Sequence, residues 1–232
     1  MNSGTEPLAP CNICGGQEFR TGPLDRLSNT KRLPACVKCG ALERHRIARR
    51  LFDLLPDALL NGRKILQFSP DHSVKPERVA ELRISEYGVN DSLDIQAIAV
   101  ADGSYDWVVS HHVVNFIPDD KKALQEMLRV VGPKGAVMLT VGGTTHAFET
   151  QVFDVPTGPH AAYKIYGCDF ADLLAQVVPT AGVLEVVATD PSTATLDTTY
   201  IYAQNIDLLR TIGRALAPHN LYARLNRPRV AT

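Results

Sequence analysis

The first fifty residues contain two short cysteine pairs that strongly constrain how this part of the chain folds. Two residues separate Cys11 from Cys14 and Cys36 from Cys39, and twenty-one residues lie between the pairs. A C-x2-C pair can place two thiolates on one side of a tight turn, and two such turns supply the tetrahedral sulfur cage that zinc prefers. A glycine follows each pair and can take the positive φ that such a turn requires. The spacing therefore predicts one zinc ion bound by all four thiolates.

The predicted metal site has a closed coordination shell, because four thiolates leave no position for water or substrate. We therefore expect the zinc to be structural and to supply most of the folding energy of a segment with few large apolar side chains. Disulfides are the alternative, which a reducing cytosol disfavours. His45 could be an extra ligand, although its position favours the helix that follows. Cys168 stands alone, and we expect an inert thiol.

Length and composition indicate one globular α/β domain with a small appendage. The chain has 232 residues, of which 45% are hydrophobic and 21% charged, and this excludes a disordered or fibrous protein. No apolar run reaches the roughly 18 residues of a membrane helix, and the N-terminus has no signal-peptide pattern. We expect a cytoplasmic protein without membrane association.

Charge is distributed unevenly, although the formal net charge is only −1. Residues 1–50 carry nine Lys/Arg against four Asp/Glu, and residues 207–232 carry five Arg against one Asp, so the middle of the chain is acidic. Basic ends could contact nucleic acid or an acidic partner, and a solvated surface would show the same pattern.

The remainder alternates between strand and helix patterns. Helical patterns occupy 41–55, 76–82, 118–131, 169–178 and 206–216, whereas strand patterns occupy 64–68, 83–87, 93–98, 107–114, 136–141, 183–189 and 198–204. Runs such as 107–109 and 136–141 are apolar on both faces, as in strands buried between two helical layers. The pattern predicts a doubly wound, mostly parallel sheet that ends in an antiparallel pair.

Three stretches between residues 103 and 135 resemble class I methyltransferases: GSYDWVV at 103–109, HHVVNFIPDD at 111–120, and RVVGPKG at 129–135. The resemblance covers about residues 64–204 and is specific in 103–140. The layout of the whole chain also includes the two cysteine turns and the sequence CGALERHR at 39–46. This layout is similar to a bacterial subgroup of methyltransferase-like proteins with an N-terminal zinc ribbon. It implies a zinc-ribbon module over 1–45, a class I methyltransferase-like domain with a Rossmann-like sheet over 46–205, and a C-terminal helix and basic tail over 206–232.

The resemblance also implies a site for S-adenosylmethionine. In the superfamily the loop after the first strand is rich in glycine, whereas here that loop has none and begins at Phe68, Ser69 and Pro70. Glu86 matches the acid that binds the ribose hydroxyls. The pair Asp94 and Ile95 matches the residues beside the adenine. His111, at the end of a buried strand, is expected at the ligand edge of the sheet.

Methyl transfer is an in-line displacement, so the protein must hold the acceptor in line with the methyl group and take a proton from it where needed. His112 or His111 is the first candidate base, with Asn115 as an orienting group and His146 as an alternative; each histidine could equally be structural. Segment 143–168 is predicted to cover the substrate with Tyr163, Tyr166 and His160, or to be a plain surface excursion.

Three functions fit these patterns. The first is a methyltransferase for a small molecule, with the zinc module as a scaffold or a homodimer contact. The second is a methyltransferase for RNA or another polyanion, which the acidic middle of the chain makes less favoured. The third is a non-catalytic binding protein that has kept the fold, which the glycine-free loop motivates. The methyl acceptor itself is not encoded in any motif.

Overall fold

The computed structural model describes residues 7–89, 91–144, 147–158, 161–219 and 221–226. Four α-helices and eleven strands are found in this part of the chain. In chain order they are β1 (Phe19–Arg20), β2 (Ala35–Cys36), α1 (Glu43–Leu54), β3 (Lys64–Phe68), β4 (Glu81–Ser85), β5 (Trp107–His111), α2 (Asp120–Val131), β6 (Ala136–Thr140), β7 (Gln151–Thr157), β8 (Ala162–Ile165), α3 (Phe170–Val177), β9 (Gly182–Thr189), β10 (Leu196–Ala203), α4 (Ile206–Leu216) and β11 (Tyr222–Asn226).

Seven strands form the central sheet in the order β11-β9-β10-β6-β5-β3-β4. Strands β4, β3, β5 and β6 are parallel neighbours, whereas β10 is antiparallel to both β6 and β9, and β11 is antiparallel to β9. The predicted α/β fold with a mostly parallel sheet is therefore confirmed. The strand order reverses at β3, so the ligand crevice of an open α/β sheet is expected at the carboxyl ends of β3 and β5.

Both faces of the sheet are covered by helices, which explains why its strands are apolar throughout. Helices α1 and α4 pack on the face that carries Ile65, Trp107 and Val109, and helices α2 and α3 pack on the face that carries Leu66 and Val108. Successive side chains of one strand thus enter different cores, as the two-residue period requires. None of the helices in the described ranges is long and apolar enough to cross a membrane.

Two predicted elements near the crevice are absent. The helix predicted over 76–82 is a 3-10 turn at Pro76–Arg78, after which β4 begins. Its chain is drawn to the sheet because Ala80 N donates to Arg63 O at 2.9 Å. The strand predicted over 93–98 is a turn, because Asp94 accepts a hydrogen bond from Gln96 N at 2.8 Å and ends any extended backbone.

The C-terminal segment also differs from the prediction. Helix α4 has the predicted bounds, 206–216, but residues 222–226 of the predicted tail form β11 and extend the sheet beside β9. Residues 227–232 lie outside the described ranges. Leu221, Ala223 and Leu225 alternate with more polar residues, but this pattern is too short to predict a strand alone, and β11 pairs with the edge of β9.

The N-terminal module is joined to the sheet by a buried ion pair. Arg46 of α1 donates from Nε and Nη2 to the two carboxylate oxygens of Asp190, both at 2.8 Å, and both side chains are fully buried. Arg46 Nη1 donates to Ala41 O at 2.8 Å, and the guanidinium stacks over Phe19 with its carbon 5.1 Å from the ring centroid. Asp190 also accepts from the backbone N and the hydroxyl of Thr193. Every polar group of this pair is therefore satisfied.

We predict that Asp190→Asn lowers the free energy of unfolding by about 3–5 kcal/mol, because it leaves the buried Arg46 charge uncompensated. Chemical denaturation of the zinc-loaded protein measures this change. Asp207→Asn is the matched control, since Asp207 pairs with Arg210 at the surface and its loss should cost less than about 1 kcal/mol. Equal effects of the two substitutions would contradict a special role for the buried pair.

Candidate functional site

The four cysteines predicted to bind metal lie together. Their Sγ atoms are all within 4.8 Å of one another, and Cys11 Sγ is 3.8 Å from Cys39 Sγ while Cys14 Sγ is 3.5 Å from Cys36 Sγ. Sulfurs bound at about 2.3 Å to a tetrahedral zinc are about 3.8 Å apart, whereas a disulfide needs about 2.05 Å. All four are free cysteines, and their spacing fits a tetrahedral metal cage.

The cysteine turns have the backbone form that the sequence predicts. Gly15 and Gly40 have φ of 71° and 72°, and each donates its N–H at 2.8 Å to the carbonyl of the first cysteine of its pair. Gly16 N donates to Cys14 Sγ at 3.4 Å. His45 is not part of the cage: it lies in α1, and its Nδ1 accepts a hydrogen bond from Leu42 N at 3.3 Å.

The loop after β3 makes tight turns without glycine. Ser69 and His72 have φ of 71° and 59°, a conformation that is uncommon for residues with a side chain. Arg49 of α1 holds the loop by donating to the carbonyls of His72 and Ser73, and Gln67 Nε2 donates to Ser69 O at 2.8 Å. The loop thus keeps the left-handed turns that glycine would form without strain, and α1 helps to hold them in place.

His111 is buried at the end of β5. Its side chain is 1% exposed, its Nδ1 is 3.2 Å from Thr140 Oγ1, and its Nε2 is 3.9 Å from Asp71 Oδ2. The ring of His45 lies beyond it, with the ring centroids 6.3 Å apart. Burial lowers the pKa of His111 and outweighs the opposing effect of Asp71. The imidazole is therefore neutral at neutral pH.

Several buried polar atoms at the reversal point of the sheet have no hydrogen-bond partner in the described part of the chain: Gln67 Oε1, Asp71 Oδ2, Ser73 Oγ, Ser110 Oγ and His111 Nε2. Gln67, Ser110 and His111 lie at the carboxyl ends of β3 and β5, and Asp71 and Ser73 lie on the loop after β3. Buried polar groups in proteins are nearly always bonded, so this concentration indicates a place completed by a ligand or by ordered water.

His112 and Asn115 follow His111 but have different environments. His112 has φ of 56°, is only partly buried and lines a cavity described below. Asn115 is buried, and its amide is used by the backbone: Nδ2 donates to Gly142 O at 3.0 Å and to Lys164 O at 2.9 Å, and Oδ1 accepts from Gly142 N at 2.9 Å. Asn115 therefore orients the loop after β6 and joins it to β8.

The residues predicted to contact the cofactor divide by burial. Phe68 and Ile95 are 4% and 3% exposed and belong to the core between the sheet and α2. His111 is buried as well, whereas the other four are exposed: Ser69, Pro70, Glu86 and Asp94. Glu86 directly follows β4, next to β3, so its carboxylate is at the carboxyl edge of the sheet. His146 lies outside the described residues.

Segment 143–168 forms an antiparallel hairpin of β7 and β8. Tyr166 is buried, and its hydroxyl donates to Asp120 Oδ2 at 2.7 Å, while Lys164 pairs with the same carboxylate. Burial and the Asp120 charge raise the pKa of Tyr166. Tyr166 thus fixes the hairpin to α2 rather than facing a substrate. Tyr163 is half-buried, and His160 lies outside the described residues.

A cavity of about 470 Å³ lies at the carboxyl edge, beside the ends of β5 and β6. Its walls come from four places: the loop between the cysteine pairs, the start of α1, the turns after β5 and β6, and the start of β10. Its lining includes Arg26, Leu42, Glu43, Arg44, His112 and Asp197. A second cavity, of about 500 Å³, is lined by Gly103, Arg129 and Gly132 near the amino ends of the strands, opposite the ligand edge.

The charged groups of the first cavity were missed by sequence reasoning. Arg26 donates to both carboxylate oxygens of Glu43, at 2.8 and 2.7 Å, so the loop between the cysteine pairs is held against α1. Burial raises the pKa of Asp197 from 3.8 to about 6. The available clue was the run Glu43 to Arg46, in which each residue carries a charged or imidazole side chain next to the second cysteine turn. Asp197 offered no comparable clue.

We predict that Asp197→Asn becomes more stabilising relative to the wild type as pH rises from 5 to 7. The raised pKa means that the stability contributed by the protonated carboxyl is full below pH 3.8 and is lost as pH rises through about 6. The relative gain between pH 5 and 7 should be about 1 kcal/mol, measured by chemical denaturation. Asp154→Asn, at an exposed position, is the control, and an Asp197 effect that does not change with pH would refute the shift.

Comparisons with known proteins agree with this architecture. Residues 69–139 match a family model described as a methyltransferase domain. No curated protein matches the sequence significantly. The fold is similar to a chain in the complex between the Haloferax volcanii Trm112 methyltransferase activator and the putative methyltransferase (12% identity, 70% of this chain and 91% of that chain, TM-score 0.47).

Two further solved structures are similar at the same low level. One is a putative methyltransferase from Bacillus halodurans C-125 (10% identity, 67% and 95% of the two chains, TM-score 0.46). The other is a Thermotoga maritima S-adenosylmethionine-dependent methyltransferase described as a possible histamine N-methyltransferase (12%, 68% and 89%, TM-score 0.40). These values carry no argument about substrate. The segment that matches the methyltransferase-domain model covers β4, β5, α2, most of β6 and the loops that form the crevice.

Proposed function

We propose that this chain is an S-adenosylmethionine-dependent methyltransferase that acts on a small molecule and contains a structural zinc. The observation that carries the proposal is the position of the methyltransferase match: it begins at Ser69, directly after β3, and includes the crevice where unpartnered buried polar atoms gather. The cavity of about 470 Å³ next to that crevice has a size typical for small ligands, which favours a small molecule over RNA.

The residues present fit the implied cofactor. Ser69 and Glu86 are exposed at the carboxyl ends of adjacent parallel strands. Two buried atoms in the same crevice, Asp71 Oδ2 and His111 Nε2, have no hydrogen-bond partner in the described residues. Glu86 would hold the ribose hydroxyls, because a carboxylate can accept from both at once. When bound, the sulfonium of the cofactor supplies the methyl group.

His112, rather than His111, is the proposed base that takes the proton from the methyl acceptor. His112 lines the cavity, whereas His111 is buried with its Nδ1 against Thr140 and its Nε2 facing Asp71. A base must be within reach of the proton that it takes, and the cavity wall satisfies this condition. Asn115, whose amide is occupied by backbone, acts by positioning the turn that carries His112.

The zinc module is more than an appendage in this proposal, because it builds part of the acceptor cavity. The loop between the cysteine pairs contributes Pro23, Arg26, Leu27 and Asn29 to the cavity wall. This loop has no α-helix and only two-residue strands at its ends, so the zinc cage and the Arg26–Glu43 pair hold its shape. Loss of zinc would therefore open the cavity.

We predict about one zinc per chain, and we expect Cys36→Ser to lose it. Structural zinc sites contribute several kcal/mol to folding, so the melting temperature should fall by at least about 6 °C, with roughly 2–4 °C for each kcal/mol in a chain of this size. Elemental analysis and calorimetry give the two readings. Cys168→Ser, which changes an exposed free thiol, is the matched control and should retain both metal and stability. An unchanged zinc content in Cys36→Ser would rule out the cage.

We predict that the zinc-loaded protein binds S-adenosylhomocysteine and that Glu86→Ala weakens this binding by about tenfold or more, the value of a lost charge-assisted hydrogen bond. Isothermal titration calorimetry measures both. Glu81→Ala is the control, since Glu81 begins the same strand at the opposite edge of the sheet and pairs with Lys64. Absence of binding to the wild type would contradict the proposed function. Equal affinity of Glu86→Ala and Glu81→Ala would show that Glu86 does not bind the ribose.

A further inference from the structure

Arg44 is half-buried and differs from the buried arginines of α1, Arg46 and Arg49, because its guanidinium has no bonded partner in the described part of the chain. The guanidinium of Arg46 bonds to Asp190, and that of Arg49 bonds to backbone carbonyls. Arg44 has no hydrogen bond or ion pair in the described part of the chain, and its Nε is buried. A desolvated charge without a partner is costly, so a ligand that supplies the opposite charge would be bound favourably.

The Arg44 side chain lines the cavity of about 470 Å³ at the carboxyl edge. The two carboxylates of the same cavity attract the guanidinium but form no ion pair with it. Glu43 is bonded through both oxygens to Arg26, and Asp197 accepts a hydrogen bond from Thr198 N at 2.8 Å. Burial, followed by repulsion from Arg26, lowers the pKa of Arg44, and this effect exceeds the attraction of these carboxylates.

The surroundings of Arg44 suit an anion that is planar and small. Arg44 is the second residue of the twelve-residue helix α1, at the end where the helix dipole favours negative charge. The guanidinium presents donors in a fork that matches two carboxylate oxygens. Because the cavity also contains His112, an acceptor held at Arg44 would lie beside the proposed base.

We propose that the cavity binds a small organic carboxylate through a salt bridge with Arg44, and that the methyl acceptor of this protein is therefore an acid. This assignment of a substrate class rests on the proposed methyltransferase function. The carboxylate site itself rests on Arg44 alone and is tested without the cofactor. The acid's carboxylate pairs with the guanidinium, and its remaining atoms occupy the space toward His112 and Asp197.

The test uses benzoate, with the uncharged isostere benzamide and inorganic phosphate as comparisons. The zinc-loaded protein, labelled with nitrogen-15, is titrated while the Nε–H resonance of Arg44 is followed by NMR. We expect a saturable shift with benzoate and none with benzamide. We expect the benzoate Kd to rise at least about tenfold in Arg44→Gln, the value of a lost charge-assisted pair, and to recover partly in Arg44→Lys.

Arg50→Gln is the matched control for loss of an arginine from the same helix. Arg50 donates to Thr189 O at 3.3 Å and is not among the residues that line the cavity. The benzoate Kd of Arg50→Gln should therefore equal that of the wild type. Amide spectra of each variant establish that it is folded. No saturable benzoate shift in the wild type, an unchanged Kd in Arg44→Gln, or a response to phosphate alone would each overturn the carboxylate site.

The failure of this inference can be distinguished from the failure of the proposed function. The benzoate titration contains no S-adenosylmethionine and measures no methyl transfer, whereas the cofactor titration measures only the crevice. Binding of S-adenosylhomocysteine without binding of benzoate would retain a methyltransferase and remove the acidic acceptor. Binding of benzoate alone would retain the carboxylate site and remove the methyltransferase.

Discussion

The structure depends on one buried ion pair, between Arg46 and Asp190. Arg46 comes seven residues after Cys39, the last cysteine of the cluster, and Asp190 directly follows β9. Their contact joins the N-terminal module to the far half of the sheet, and Leu8 N and Thr30 Oγ1 reinforce it by donating to the carbonyls of Ser192 and Thr193. Because burying two charges is favourable only when every donor and acceptor is used, this junction accepts one geometry. It therefore fixes where the zinc module lies over the sheet.

The position of the module decides what the carboxyl edge of the sheet can do. Four consecutive residues of α1 have separate tasks: Glu43 holds the loop between the cysteine pairs, Arg44 faces the cavity, His45 lies against His111, and Arg46 forms the junction. A one-residue shift of this helix would turn each of these side chains away from its partner, since successive residues differ by about 100° around the helix axis. The cysteine cluster, the ion pair and the cavity are thus connected through the first turn of α1.

Much of the fold could be predicted from the sequence, because the patterns that define it are local. The apolar runs of β5 and β6 reflect burial on both faces, and the α4 periodicity gave its bounds. The errors fall where contacts distant in sequence decide the structure. Residues 93–98 alternate like a strand, but Ile98 N bonds to Glu126 of α2 instead of a neighbouring strand. Strand β11 pairs with the edge of β9, a contact distant in sequence that the short apolar alternation of 221–225 does not predict alone.

The candidate site was only partly accessible to sequence reasoning. The cysteine spacing predicted the cluster of four thiols, since both turns are local, whereas the cofactor residues that the resemblance implies stay predictions. The charged groups of the cavity come from three segments that are far apart in the chain, at Arg26, Arg44 and Asp197, and no local pattern joins them. Tyr166 and Asn115 looked like ligand contacts because of their chemistry, yet Asp120 and the backbone of Gly142 use their polar atoms. The glycine-free loop looked like a defect, whereas Ser69 and His72 take the left-handed turns themselves.

The central claim is that the carboxyl ends of β3 and β5 form a crevice for a sulfonium nucleoside. A crystal structure of the zinc-loaded protein with S-adenosylhomocysteine tests it most directly. The account predicts the ligand above the Ser69 turn, with its ribose at Glu86 and its sulfur directed toward the cavity that Arg44 and His112 line. A ligand bound elsewhere, or a crevice closed by Phe68 and Pro70 in crystals that contain the compound at saturating concentration, would contradict it.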